Sequence, residues 1–201
     1  MSHSPSLDLP ESDVRDYEKL LKILPNHDVI IHLALDTKAE NFLSGKINPD
    51  NIKMVYNVYE AAIVSGVPRV IMASSVHADK PPNWRELNLL SPNRLPFPDS
   101  PYGASKNFME SLGKYYATKG LEVVCIRFGG IGSKPSPDDC YEKGVWLSHE
   151  DCVGLVKKCI DADKIPNNFF IVYGISNSKN RFYDFSNPLD WEPQDCADDR
   201  L

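Results

Sequence analysis

Three residues in this sequence have the types and spacing to move a proton on and off an alcohol. Tyr102 and Lys106 stand four apart in Ser100-Pro101-Tyr102-Gly103-Ala104-Ser105-Lys106, and Ser75 closes the apolar run that begins at Arg69. A phenol titrates near 10 and is a poor base at pH 7 unless its anion is stabilised. Lys106, one helical turn on, is expected to lower that value with its charge. Ser75 would hold the substrate oxygen while Tyr102 takes its proton. Oxidising an alcohol also releases a hydride, which no side chain accepts, so the trio implies a nicotinamide cofactor. Tyr115 and Lys119 repeat the spacing inside the same helix and read as a structural pair. The Tyr102 pair differs in opening its helix after a proline-rich stretch and in following a strand that ends in two serines.

The elements that must position the trio follow from periodicity. Residues 11–24 read as a helix with Val14, Tyr17, Leu20, Leu21 and Leu24 on one face. The continuous apolar runs at 28–34, 67–75, 121–128 and 169–173 read as strands covered on both faces. Between them, helices are expected from Pro49 to a stop at Gly66, from Tyr102 to Lys119 with Phe108, Leu112, Tyr115 and Tyr116 inward, and after a Ser148 cap. The last helix would pack through Cys152, Val153, Leu155, Val156, Cys159 and Ile160. Residues 35–48, 81–101 and 129–144 read as loops, and the tail from Asn180 is aromatic, then acidic. Strands alternating with helices predict an α/β fold: a parallel sheet with helices on both faces and ligands at the carboxyl ends of its strands.

The 201 residues suffice for a single domain with a real core. A net charge of −6 argues against nucleic acid or an anionic membrane as partner. No apolar run approaches the length of a membrane span, and the first residues lack a signal sequence. The five cysteines have no metal-ligand spacing and read as reduced core residues, two of them on a helix face and Cys125 in a strand, which predicts a cytoplasmic protein without a metal site.

The run from Ser74-Ser75 to Pro101-Tyr102-Gly103-Ala104-Ser105-Lys106, with Asp28 to Ala34, Asn51 to Ala62 and Val70 to Ser75, resembles the extended short-chain dehydrogenase/reductases, the NAD-dependent epimerase/dehydratase group. Over roughly residues 8–197 it is similar to the uronate dehydrogenase branch. That likeness rests on the segments 73–77, 146–151, 172–176 and 191–195. The resemblance implies a Rossmann-like domain over residues 1–201, with 129–147 and 175–201 on the substrate side. It implies an NAD-dependent (or NADP-dependent) oxidoreductase or epimerase acting on a small sugar or sugar acid, and a homo-oligomer, here a dimer. Tyr102, Lys106 and Ser75 would be catalytic. Asp8 and Leu9 would meet the adenine, Leu33 and Ala34 the pyrophosphate side, Lys106 the ribose, and Asn51 would support the cofactor site. Ser75, His77 and Gly130 would face the substrate.

The chain departs from the pattern in two places. No glycine precedes Asp28, so the Gly-x-x-Gly-x-x-Gly loop that holds the pyrophosphate is missing. The resemblance then places two βα units outside the chain, leaves the fold N-terminally incomplete, makes cofactor binding weakened or conditional, and sets two absent strands between 28–33 and 67–75. A catalytically inactive relative serving as a binding or oligomerisation module is the alternative. The resemblance also implies an arginine for the sugar carboxylate in the loop after the third strand. Residues 134–143 have Asp138 and Asp139 there, with Lys134 and Lys143 as the only cations.

Overall fold

The computed structural model describes residues 13–36, 46–87, 89–179 and 181–200. Four strands form one parallel sheet: β1 (Val29–His32), β2 (Arg69–Ser75), β3 (Glu122–Phe128) and β6 (Phe169–Gly174), in the order β1-β2-β3-β6. Helices α1 (Tyr17–Ile23), α2 (Pro49–Ser65) and α3 (Pro101–Ala117) cover one face, and α5 (His149–Asp161) covers the other. The apolar runs divide by strict alternation. Val70, Met72, Val123 and Cys125 face α2 and α3, whereas Ile71, Val124, Ile126 and Val172 face Leu155 and Cys159 of α5. A two-stranded ribbon, β4 (Gly130–Ile131) with β5 (Trp146–Leu147), and the one-turn helix α4 (Cys140–Gly144) occupy the stretch expected to be loop.

Several expectations need correction. β1 and β2 are direct neighbours, paired from Val29 with Arg69 to His32 with Met72, so no strand lies between them. Among the described residues β1 and β6 are the edge strands, and Ile31 in β1 and Leu33 just beyond it are 41% and 65% exposed. The first helix starts at Tyr17 because Asp16 caps it, accepting from the Lys19 N–H. On α3, Phe108 and Tyr115 are exposed, and the buried side is Lys106, Met109, Glu110, Gly113 and Tyr116. Apolarity misled there because a lysine, a glutamate and two glycines take core positions. On α5, Val153 and Ile160 are exposed for the same one-step error in phase. All five cysteines are free thiols, yet only Cys125 and Cys159 lie in the core.

Local signals worked where a cap decided the boundary. Asn48 caps α2 with Pro49 in the first turn, and Gly66 ends it at φ 72°, a left-handed backbone that glycine adopts without strain. Ser148 caps α5 by accepting from the Asp151 N–H. The Asp151 carboxylate does not reach back to the cap. It takes the Ser176 hydroxyl at 2.5 Å and the N–H groups of Gln194 and Asp195, which docks the tail onto α5.

The core also holds a charge network that periodicity does not reveal. Arg127 on β3 is fully buried and makes a two-pronged bond to Glu110 on α3, both contacts at 2.8 Å. Ser74 donates to the same carboxylate. The third guanidinium arm reaches the Tyr173 hydroxyl, which donates to Asp79, and Arg94 closes the chain on Asp79. Removing one partner of such a pair leaves the other charge buried alone. The substitution Arg127→Met is therefore expected to lower the unfolding free energy by about 3–5 kcal/mol in urea denaturation, against about 1 kcal/mol for Ser74→Ala.

Candidate active site

Tyr102, Lys106 and Ser75 come together at the carboxyl end of the sheet. Ser75 ends β2, level with Phe128 of β3, and is buried. Tyr102 and Lys106 lie in the first turns of α3, whose N-terminus is capped by Ser100 accepting from the Gly103 N–H. The helix approaches the turn after β2 so closely that a Cβ on Gly103 would lie 2.1 Å from the His77 carbonyl oxygen. A bare Cα at position 103 sets the separation of Tyr102 from Ser75.

Burial holds the Tyr102 phenol above its ordinary 10, and the nearby Ser75 side chain offsets only part of this. The expected lowering by Lys106 is absent. The ammonium donates to the Ala73 carbonyl at 2.7 Å and sits 5.5 Å from the centre of the Tyr102 ring. Burial takes Lys106 down to about 8, so it is charged at neutral pH. The control pair is instructive: Lys119 lies 5.4 Å from the Tyr115 ring, so spacing alone makes that contact. What distinguishes Lys106 is its burial and its hold on a strand carbonyl.

His77 and Asp99 stand beside the tyrosine. The His77 ring packs edge-on to Tyr102 with centroids 6.0 Å apart, and its Nδ1 is 2.8 Å from Asp99. Lys80 is 3.7 Å from the same carboxylate oxygen. Asn51 is buried and accepts the Asp36 N–H at 2.7 Å, which fixes the backbone that leaves β1 through Leu33 and Ala34. Gly130, on β4, is exposed beyond the end of β3. His32 is buried with no hydrogen bond to Nε2, and burial, then the Lys106 charge, hold it down to about 4. Asp8 and Leu9 fall outside the described residues. A groove of 570 Å³ lined by Gly154, Lys157, Lys158 and Asp161 runs along α5 and shares no residue with this constellation.

Spacing does not reveal Asp99, Glu110, Arg127 or Asp79. The one available sign is that Asp99 precedes the cap residue of the helix that carries Tyr102. Among the described residues no cluster of histidine, cysteine and carboxylate side chains could hold a metal ion. None of the described helices is long and apolar enough to cross a membrane.

A four-stranded parallel sheet with a tyrosine, a lysine and a serine at its carboxyl end defines a Rossmann-like protein. Residues 2–138 match the model of the NAD dependent epimerase/dehydratase family, and the chain belongs to that family. It is 32% identical over 193 residues to a uronate dehydrogenase of Pseudomonas syringae pv. tomato, a match covering 92% of this chain and 66% of that protein. It is 32% identical to an NAD-dependent glucose-6-phosphate dehydrogenase of Haloferax volcanii, covering 92% and 74%. The crystal structure of a uronate dehydrogenase from Agrobacterium tumefaciens superposes with a TM-score of 0.76 at 29% identity, covering 99% of this chain and 74% of that one. The chain thus spans about two thirds to three quarters of the length of these relatives.

Two outcomes test this geometry. His32 is neutral in the fold down to about 4, whereas an unfolded histidine charges near 6.5. Its contribution is complete above pH 6.5 and is lost as pH falls toward 4, because only the unfolded chain takes up the proton in that window. Stability measured against His32→Leu should therefore fall by about 3 kcal/mol between pH 7 and pH 4. Gly103→Ala should cost about 1–3 kcal/mol in the same assay, because backbone must move to admit the methyl group.

Proposed function

We propose that this chain carries the proton-transfer machinery of an NAD-dependent (or NADP-dependent) oxidoreductase acting on a sugar. The observation that carries the reading is the meeting of Tyr102, buried Ser75 and buried Lys106, the last held on the Ala73 carbonyl at 2.7 Å, at the mouth of the sheet. Relatives named as sugar or sugar-acid dehydrogenases support the substrate class.

The residues present suit the ribose end of the cofactor. An ammonium has three donors, and the Ala73 carbonyl takes one of Lys106's, so two remain for ribose hydroxyls. Tyr102 faces the same mouth, Leu33 and Ala34 leave β1 toward the pyrophosphate side, and Asn51 braces the backbone beyond them through Asp36. When bound, nicotinamide supplies the hydride acceptor. Ser75 orients the substrate hydroxyl, and Tyr102 takes its proton. Lys106 provides the positive charge against which the phenolate forms once the ammonium is released from Ala73.

On the substrate side we assign residues 129–147 and 175–201, with His77 and Gly130 at the substrate. Tyr141, Val145, Tyr173, Ile175, Phe182 and Tyr183 pack there into one cluster. In the loop after β3, Asp139 caps α4 and Lys143 is paired with Asp198 at 2.8 Å. Lys134 is then the remaining cation of residues 134–143, a point charge without a bidentate fork, so a neutral sugar suits the loop better than a uronate. Exposed Tyr56 and Val64 on α2, with Phe108 and Tyr115 on α3, suit a homodimer through these two helices. A non-catalytic binding or oligomerisation module is the second reading, and the burial that raises the Tyr102 phenol above its ordinary range works against its acting as a base in this state.

Turnover separates the two readings. With NAD and a panel of aldoses and uronates, Tyr102→Phe should reduce kcat/KM by about 10²–10⁴-fold while the urea midpoint stays within error of the parent. Equal turnover by parent and variant would remove Tyr102 from the chemistry, and a parent inert toward the whole panel would favour the module.

A further inference from the structure

We infer that Asp99 is a positioning residue that fixes the His77 ring, so that Nε2 offers a hydrogen-bond acceptor to a second hydroxyl of the substrate. The inference rests on the reading of Tyr102 as the group that takes the proton from the first.

Asp99 is held from several sides. Its backbone N–H donates to the His77 carbonyl at 3.3 Å, the Ser100 hydroxyl donates to Oδ1 at 2.9 Å, and Oδ2 lies 2.8 Å from His77 Nδ1. Ser100 is also the cap of α3, and the His77 N–H donates to Ser75 Oγ at 3.3 Å. The imidazole is thus tied through its backbone to the serine that touches Tyr102, and through its ring to the start of the helix that carries Tyr102 and Lys106. Such a ring is oriented on the scale of the reacting atoms.

The partner of Nδ1 decides the chemistry of Nε2. An ionised carboxylate only accepts, so the proton of a neutral ring resides on Nδ1, and Nε2 is left as a bare acceptor. This is the arrangement by which carboxylates set the tautomer of histidines in metal and acyl-transfer sites. Among the described residues Nε2 has no hydrogen-bond partner, and the His77 side chain is 39% exposed, edge-on to Tyr102. The titratable groups that face the pair are Tyr102, Tyr141 and Lys80, the last 3.7 Å from Asp99 Oδ2 and stacked over the Tyr141 ring. Lys80 cannot replace His77 as acceptor because an ammonium only donates. A substrate that satisfies the site must therefore donate twice, from the hydroxyl that reacts at Tyr102 and Ser75 and from a neighbouring one that reaches Nε2. That chemistry describes a sugar with a free hydroxyl on the carbon next to the oxidised one.

The test uses the full chain, ¹⁵N-labelled and without ligand, with the His77 ring signals assigned by their loss in His77→Ala. Long-range ¹H–¹⁵N correlation at pH 8 should show the Nδ1–H tautomer in the parent. Asp99→Ala should show a mixture of both tautomers, and Asp99→Asn, whose amide can donate to Nδ1 where the carboxylate only accepts, should move the ring toward the Nε2–H form. Where the parent turns over a sugar, Asp99→Ala should raise KM about tenfold with little change in kcat, the loss of one hydrogen bond. The matching deoxy sugar should show the raised KM already in the parent and no further rise in Asp99→Ala. A parent ring protonated at Nε2, or an Asp99→Ala protein with the parent's tautomer and KM, overturns the proposal. An inert parent defeats the catalytic reading instead, and the tautomer pattern then decides the positioning alone.

Discussion

The bond between Arg127 and Glu110 is the constraint on which the rest of this structure depends. It joins the central part of the sheet to the helix that carries Tyr102 and Lys106, entirely out of water. Two charges cannot be buried this way unless their remaining donors and acceptors are met. Here Ser74 fills the carboxylate, Tyr173 takes the third guanidinium arm, and Asp79 with Arg94 extends the chain to the loop over the site. A packed apolar interface tolerates some sliding. A two-pronged ion pair with fixed directions does not, so it sets where α3 stands along its axis.

The same logic explains why Lys106 can be both buried and useful. Desolvation brings its titration down to about 8, and a strand carbonyl gives the ammonium one partner. The pair Tyr115 and Lys119 shows what the identical spacing yields on an exposed surface, where it is a solvated contact without consequence. Function separates from geometry at the level of environment: the carboxyl end of the sheet, the serine at the strand's last position and the glycine that admits the close approach.

How much of this was legible in the residues follows from the physics of each signal. Strands buried on both faces read clearly, since nothing but apolar side chains fits there, and Pro49, Gly66 and Ser148 marked helix ends because each suits the backbone or hydrogen-bonding need of a helix terminus. The grouping of Tyr102 and Lys106 with Ser75 was legible because the pair opens a helix and the serine ends the strand before it. Helix phase was misread on α3 and α5, where Lys106, Glu110, Gly103 and Gly113 occupy the inward side and apolar Phe108 and Val153 do not. Strand order was misread too, since the pairing of β1 with β2 depends on contacts between segments far apart in the chain. Asp99, Asp79, Glu110 and Arg127 each resemble surface charges until their partners are known, and those partners are distant in sequence.

The docking of the tail on Asp151 has a dynamic consequence. One carboxylate in the first turn of α5 takes hydrogen bonds from Ser176, which follows β6, and from Gln194 and Asp195 near the end of the chain. The tail cannot peel away without leaving a buried anion short of donors, and the start of α5 cannot fray without releasing the tail. The two therefore open together as one cooperative unit rather than as separate fluctuations. Because Ser176 also donates its backbone N–H to Trp146, next to the β4–β5 ribbon, that unit reaches the wall of the candidate substrate site. Slow opening at the chain's end would then be felt as breathing of the site's far wall, while the trio at the mouth of the sheet stays closed.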